Sequence, residues 1–344
     1  MPLLFCSKCV MNGTAEELVL DRNGICNFCH QAQKELRAIK KDKKNLSKYI
    51  RKIKQDGAGK EYDCIIGLSG GVDSSYLLHE AIKLGLRPFV FTVDNGWQTD
   101  RAQENIMKLV EGIPVRFYRY TIDLKRFAKL QSAFIRAGQK NIEIPTDHIL
   151  MAATYEMASR YGIKWILSGG NVATESIMPP SWGYNARDLV HIKSVYQWAW
   201  QEKLKGLPLC SLWKFNWYKW IRGIRVFYPL DYLDYDRNEA SKILSKEYDW
   251  NEYGQKHEEN LFTWWFQSYY LFEKFGIDKR TAHFSSLINS GQMTRKEAMS
   301  ELVKDMYYPP IKIATGSYKP RPYNSFRTDE KLYALIGKIV KTFR

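Results

Sequence analysis

A short apolar run, Asp63-Cys64-Ile65-Ile66-Gly67-Leu68, leads directly into Ser69-Gly70-Gly71-Val72-Asp73-Ser74-Ser75. A helical pattern then runs from Val72 to Leu84 and stops at Gly85. A buried strand, a glycine turn and a helix in that order are the unit from which parallel sheets are built. The same texture repeats downstream. Strands are expected at Pro88–Val93, Val115–Tyr120 and Trp165–Leu167, with a possible fifth at Arg225–Leu230. Helices are expected at Arg101–Val110 and Thr146–Tyr161. Alternating strands and helices imply an α/β fold with a doubly wound parallel sheet.

Four regions follow from the changes in texture. Residues 1–32 form a four-Cys module, and 33–60 a basic helical connector broken at Asp56-Gly57-Ala58-Gly59. Residues 61–230 hold the sheet, and 231–344 are mainly helical, closing with a helical repeat over Asp329–Phe343. No run of 18 apolar residues occurs, so no spanning helix is expected. The N-terminus lacks a basic region followed by an apolar stretch, which points to the cytoplasm. The formal charge of +15 favours anionic partners without choosing among them.

The glycine loop suits phosphate. Gly70 and Gly71 let backbone N–H groups approach an anion, the helix start adds partial positive charge, and Ser69, Ser74 and Ser75 offer hydroxyls. Asp73 is either a helix-start residue or the ligand of a cation that bridges it to phosphate, for which Mg²⁺ is the natural choice. The loop is not a Walker motif, because no Gly-Lys-Ser/Thr follows.

Cys6-x2-Cys9 and Cys26-x2-Cys29 are spaced as a four-thiolate structural Zn²⁺ site, with Gly24 ahead of the second pair. Such a site is closed, so its role is structural. Between residues 254 and 297, Lys256, Lys274, Lys279 and Arg280 are candidate cations for a leaving pyrophosphate. His257 and Glu259 are candidates for orienting substrate or moving protons, and His283 joins the group. The plain alternative is a solvated helical face.

Ser69–Ser75 resembles the signature of the PP-loop ATP pyrophosphatases. These enzymes transfer AMP to a substrate oxygen and release pyrophosphate. The resemblance assigns ATP to Ser69, Gly70, Gly71, Asp73, Ser74 and Ser75. It places adenosine near Thr92 and Asp94 at the second strand end. It also puts the fourth strand, ending in Ser168-Gly169-Gly170-Asn171, beside the first, so that two Gly-Gly turns flank one crevice.

Taken with the Cys module and the 254–297 stretch, most of residues 1–305 resembles the N-acetyl sugar amidotransferases (WbpG/PseA-like) of bacterial surface-polysaccharide pathways. That resemblance implies conversion of a sugar acetamido group on a nucleotide sugar to an acetamidino group through an O-adenylated imidate. It implies ATP, Mg²⁺ and structural Zn²⁺, with Asp73, Lys274, Lys256 and His257 as catalytic residues. Glu259, Lys279, Arg280 and His283 would contact substrate or pyrophosphate. Cys6 is assigned to zinc, and no glutaminase domain fits the remaining length. Ammonia is therefore expected from a partner glutaminase similar to that of imidazole glycerol phosphate synthase, with a cyclase-like companion as a further candidate partner.

A tRNA-modifying PP-loop enzyme is the alternative. It fits the basic charge, but Cys64 and Cys210 form no Cys-x-x-Cys pair for sulfur transfer, so nucleic acid is the less favoured partner. Residues 196–228 interleave Trp with Lys and Arg, and suit a lid, a membrane or nucleic-acid contact, or an oligomer interface.

Overall fold

A computed structural model describes residues 4–252 and 258–304. In chain order the helices and strands are α1 (Asn27–Asp42), α2 (Leu46–Asp56), β1 (Cys64–Gly67), α3 (Val72–Lys83), β2 (Pro88–Asp94), α4 (Asp100–Gly112), β3 (Phe117–Thr121), α5 (Leu124–Arg136), α6 (Ile144–Arg160), β4 (Trp165–Leu167), α7 (Val172–Glu175), α8 (Leu189–Trp200), α9 (Leu212–Trp220) and β5 (Arg225–Phe227). The C-terminal helices are α10 (Arg237–Tyr248), α11 (Leu261–Trp265), α12 (Leu271–Phe275), α13 (Arg280–Ser290) and α14 (Arg295–Leu302). A π-helical turn at Phe266–Tyr270 joins α11 to α12.

The strands form one five-stranded sheet in the order β3-β2-β1-β4-β5, and every pairing is parallel. Ile66 pairs with Val90 on one side and Leu167 on the other. The chain winds outward from β1 through β2 to β3, then returns to the other side of β1. The β1/β4 boundary is thus the switch point where α/β sheets open a crevice. The doubly wound sheet expected from the sequence is therefore present, with the first and fourth strands adjacent.

Alternation along β1 divides the core. Ile65 faces a cluster that contains Phe89, Phe91 and Ile166, while Cys64 and Ile66 face a second cluster with Val90 and Leu167. Helices α3, α4 and α10 cover the second face through Leu77, Ile106 and Leu244. The first face receives α5 and α6, and its cluster also takes in Cys6, Cys9, Cys26 and Cys29 together with Trp265, Leu271 and Ala282. The Cys region, one face of the sheet and the C-terminal helices therefore share one continuous core.

Helix α5 is absent from the sequence expectations, although Phe127, Leu130 and Phe134 recur at helical spacing and are buried. Asp123 caps it by accepting from the Arg126 N–H at 3.0 Å. The expected helical repeat over Asp329–Phe343 lies outside the described residues.

Candidate functional site

The phosphate-type loop is held by its own small side chains. The Gly71 N–H donates to Ser69 Oγ at 3.2 Å, and the Ser74 hydroxyl donates to the Gly71 carbonyl at 3.3 Å. Ser69 Oγ and Ser74 Oγ lie 3.1 Å apart. Gly70 adopts φ +86°, and a Cβ built there would sit 2.5 Å from the Ala102 carbonyl oxygen. Left-handed backbone and a backbone clash both exclude a side chain. Gly70→Ala is expected to destabilise the fold by about 2–4 kcal/mol. Urea unfolding checks this, and an unchanged midpoint would show that α4 can give way.

Ser75 lies deeper than the other loop serines. It is fully buried, and its hydroxyl has no hydrogen-bond partner among the described residues. Thr92 is also buried; its hydroxyl donates to the Leu68 carbonyl at 2.7 Å and accepts from Gln98 at 2.8 Å, tying β2 to β1. Asp94 accepts from the Gly96 N–H at 3.2 Å and lies 3.6 Å from the Arg119 guanidinium.

The second glycine turn meets the first. A Cβ on Gly169 would lie 3.1 Å from the Ser74 nitrogen and from the Asp73 carbonyl carbon, so the β4 turn rests on the start of α3. A Cβ on Gly170 would lie 3.3 Å from Glu175 Oε2. Two Gly-Gly turns thus border one crevice at the β1/β4 boundary.

Acidic side chains converge here. The buried Tyr235 hydroxyl donates to the Asp73 carboxylate. Burial, and then the Asp73 charge, push the Tyr235 phenol above its ordinary value. Asp231 accepts from the Val172 N–H at 2.7 Å, and burial raises its carboxyl to about 6. Tyr235, Asp231 and Glu175 were not foreseen from the sequence. Tyr235 and Asp231 lie in Asp231-Tyr232-Leu233-Asp234-Tyr235-Asp236, an acidic-aromatic string just after β5 that follows the parallel strand into the crevice.

The C-terminal stretch reaches the loop through Glu259. The Thr99 N–H donates to the Glu259 carbonyl at 3.0 Å, and the Leu261 N–H to the Trp97 carbonyl at 2.8 Å. Gln98 and Asn260 form an antiparallel bridge between these contacts. The Glu259 side chain is thereby laid over the loop: a Cβ on Gly71 would be 3.0 Å from Glu259 Oε1.

Beside this segment opens a cavity of about 750 Å³, lined by Glu143, Asp147, Glu175, Glu258, Gln267, Lys279 and His283 among others. Phe266, Gln267 and Ser268 come from the π-helical turn, whose extra residue per turn re-aims side chains toward the cavity. Lys279 lies 2.9 Å from Met178 Sδ; desolvation draws its ammonium down to about 8, against the opposing pull of Glu143, Asp147 and Glu175. His283 Nδ1 is 3.2 Å from the Thr174 carbonyl.

The other expected cations are placed differently. Arg280 also borders the cavity, but its guanidinium binds Asp278 at 2.8 Å and the carbonyls of Glu301, Leu302 and Lys304 at 3.2–3.3 Å, anchoring the end of α14. Lys274 is exposed and stacks over Tyr270 at 5.3 Å and Phe275 at 5.7 Å. Lys256 and His257 lie outside the described residues.

The four cysteines of the N-terminal region converge with all Sγ atoms within 4.8 Å of one another. Cys6 and Cys29 are 4.0 Å apart, and Cys9 and Cys26 3.8 Å. A tetrahedron with Zn–S bonds of about 2.3 Å has edges of about 3.8 Å, so the donor set fits zinc. The N–H groups of Cys9, Met11, Cys26 and Cys29 point at the sulfurs at 3.3–3.4 Å, as thiolates require. The C-terminal helices complete the shell: Asn289 Nδ2 lies 3.2 Å from Cys29 Sγ, Ser285 accepts from the Val10 N–H at 3.2 Å, and Arg295 donates to the Cys9 carbonyl at 3.1 Å.

The family model of the LPS biosynthesis protein WbpG-like, C-terminal domain, matches residues 259–315. That segment of the chain is similar to a WbpG-like C-terminal domain. Residues 259–304 of the match are described, and they include Glu259, the π-helical turn, Lys279 and the helices that enclose the cysteines. No curated protein matches the chain by sequence. Among solved structures, an NH3-dependent NAD synthetase from Campylobacter jejuni is 16% identical over 39% of this chain, with a TM-score of 0.30, and the match spans only 58% of that synthetase. A predicted subunit of tRNA methyltransferase from Methanocaldococcus jannaschii is 16% identical over 53% of this chain and 74% of its own, with a TM-score of 0.31. An NMN synthetase from Francisella tularensis is 15% identical over 62% of this chain and 98% of its own, with a TM-score of 0.29.

Proposed function

We propose that the chain is the synthetase half of an ATP-dependent amidotransferase that converts a sugar acetamido group, carried on a nucleotide sugar, to an acetamidino group. The observation that carries this reading is the placement of Glu259. The first residue of the WbpG-like match lies against Gly71 of the phosphate-type loop, so the matched segment and the loop border a single site.

In this reading the loop of Ser69, Gly70, Gly71 and Ser74 cradles the β and γ phosphates of ATP at the start of α3. The amide carbonyl oxygen of the sugar attacks the α-phosphorus, and the bond to the bridging oxygen breaks, releasing pyrophosphate. The resulting O-adenylated imidate is attacked at carbon by ammonia. AMP leaves with the oxygen, and loss of a proton leaves the amidine. Adenylation is needed because the bare carbonyl oxygen is a poor leaving group.

Asp73 and Glu259 would repel a polyphosphate unless a cation stood between them, so Mg²⁺ accompanying the nucleotide suits this donor set. The cavity lined by Glu258, Glu175 and Lys279 is assigned to the sugar. There Lys279, with its lowered affinity for the proton, is placed to accept the proton that ammonia sheds. The ammonia itself is assigned to a separate glutaminase chain, and the pathway to bacterial lipopolysaccharide O-antigen or nonulosonate sugars in the cytoplasm.

The test is direct. The full chain is incubated with ATP, Mg²⁺, NH4⁺ and a UDP-linked diacetamido uronic acid, and pyrophosphate and sugar mass are followed together. Pyrophosphate release that depends on the sugar, with exchange of oxygen for NH in the product, supports the proposal. Release that ignores the sugar and requires tRNA sinks it.

A further inference from the structure

Helix α9 turns an aromatic side outward. Its inner side is set by Phe215 and Tyr218, both buried. On the opposite side Trp213 and Trp220 lie at i and i+7 on a single helical face, while Trp217 between them is half-buried and packs against the core. Trp213 is 76% exposed and Trp220 72%, and the adjoining Leu212 and Ile221 are 51% and 71% exposed. Lys214 and Lys219 flank this stripe, and the Lys219 ammonium sits 5.0 Å over the Trp220 ring. From Ser211 to Arg225 the chain has four cationic side chains and no carboxylate. Neither Lys214 nor Lys219 forms an ion pair among the described residues. No helix among the described residues is long and apolar enough to cross a membrane.

Four large apolar side chains exposed side by side, Leu212, Trp213, Trp220 and Ile221, mark a contact surface. We infer that the α9 face docks peripherally on the surface of an anionic lipid bilayer. Indole rings prefer the headgroup level, where the ring is buried and the N–H stays wet, and lysines beside them meet the negative surface potential. A second copy of the chain fits less well. A two-fold contact would bring Lys214 and Lys219 against their own counterparts with no local carboxylate to pair, and interface centres are depleted of lysine. Single-stranded nucleic acid would stack on the indoles but leave Leu212 and Ile221 in water. This inference stands apart from the proposed reaction, because α9 contributes none of the residues assigned to it.

Flotation of the full chain with vesicles of phosphatidylcholine and phosphatidylglycerol tests it. The chain is expected to float with these vesicles, less so with phosphatidylcholine alone. Binding should fall as salt shortens the Debye length from about 10 Å at 0.1 M to about 3 Å at 1 M. Trp213→Ser with Trp220→Ser should lower partitioning at least about tenfold. Lys214→Gln and Lys219→Gln should lower it about fivefold each. Circular dichroism should show folded protein throughout; if the tryptophan pair misfolds, the exposed lysine pair carries the test. A wild-type chain that stays behind, or a tryptophan pair that floats as well as wild type, would overturn the inference. So would a dimer or an oligonucleotide complex that the tryptophan pair abolishes while vesicle binding persists.

Discussion

Replacing Asp73 by Asn should lower pyrophosphate release by about 10²–10³-fold while leaving the fold in place. The change keeps size and shape, and the amide oxygen still accepts the hydrogen bond from Tyr235. What it removes is the negative charge that would bind a cation between loop and polyphosphate. Raising Mg²⁺ should recover part of the loss if that charge acts through the metal. Steady-state pyrophosphate release, with ATP and Mg²⁺ varied separately, makes the measurement. An Asn variant that turns over at the wild-type rate with unchanged Mg²⁺ dependence would remove Asp73 from the metal role and leave it as a helix-start residue.

The second large effect concerns the cysteines. Structural zinc contributes on the order of 10 kcal/mol to small thiolate modules, comparable to the 5–15 kcal/mol that stabilises a whole domain. In this chain the four sulfurs share a core with Trp265, Leu271 and Ala282, so their loss would not stay local. Metal analysis is expected to find one zinc per chain. Cys26→Ser, or removal of zinc by a chelator, should lower the melting temperature sharply and expose α13 and α14 to protease. Pyrophosphate release should fall in step, because the helices that hold Lys279 and His283 lean on that shell. A metal-free chain with an unaltered melting profile would show that packing alone holds the cysteines together.

The central strands were legible because β1, β2 and β4 are short apolar runs near glycine or proline, and burial on both faces leaves no other reading for Ile65-Ile66 or Val90-Phe91, whereas the more exposed β3 shows itself by alternation. The loop and the cysteine spacing were legible for a related reason: each packs its chemistry into a few consecutive residues. Helix α5 was missed because its apolar positions are diluted by Lys125, Arg126 and Lys129, and Gln131 is buried to accept from the Trp97 indole at 2.8 Å. The crevice carboxylates were missed because nothing within the acidic-aromatic string 231–236 marks which acid the fold turns into the crevice. Asp231 acquires its raised carboxyl from burial beside residues distant in the chain, and burial is a property of the fold. Charge alone also misplaces long side chains. Lys274, Lys279 and Arg280 look alike in sequence, yet one stacks on aromatic rings, one borders the cavity with a depressed ammonium and one anchors a helix end.

The shell around the cysteines also sets an order of events during synthesis. Its first ligand is Cys6, while the groups that close it, Ser285, Asn289 and Arg295, each lie 260–286 residues after the atom they contact. A chain emerging from the ribosome can gather four thiolates early, but that cluster stays open on one side until the whole sheet, ending at Phe227, has been made. The contact therefore belongs among those of highest sequence separation, which form late and slowly. Between the synthesis of Cys29 and that of Ser285 the newborn protein would present reactive sulfur to its surroundings, with the finished sheet as the scaffold that finally brings the cover into place.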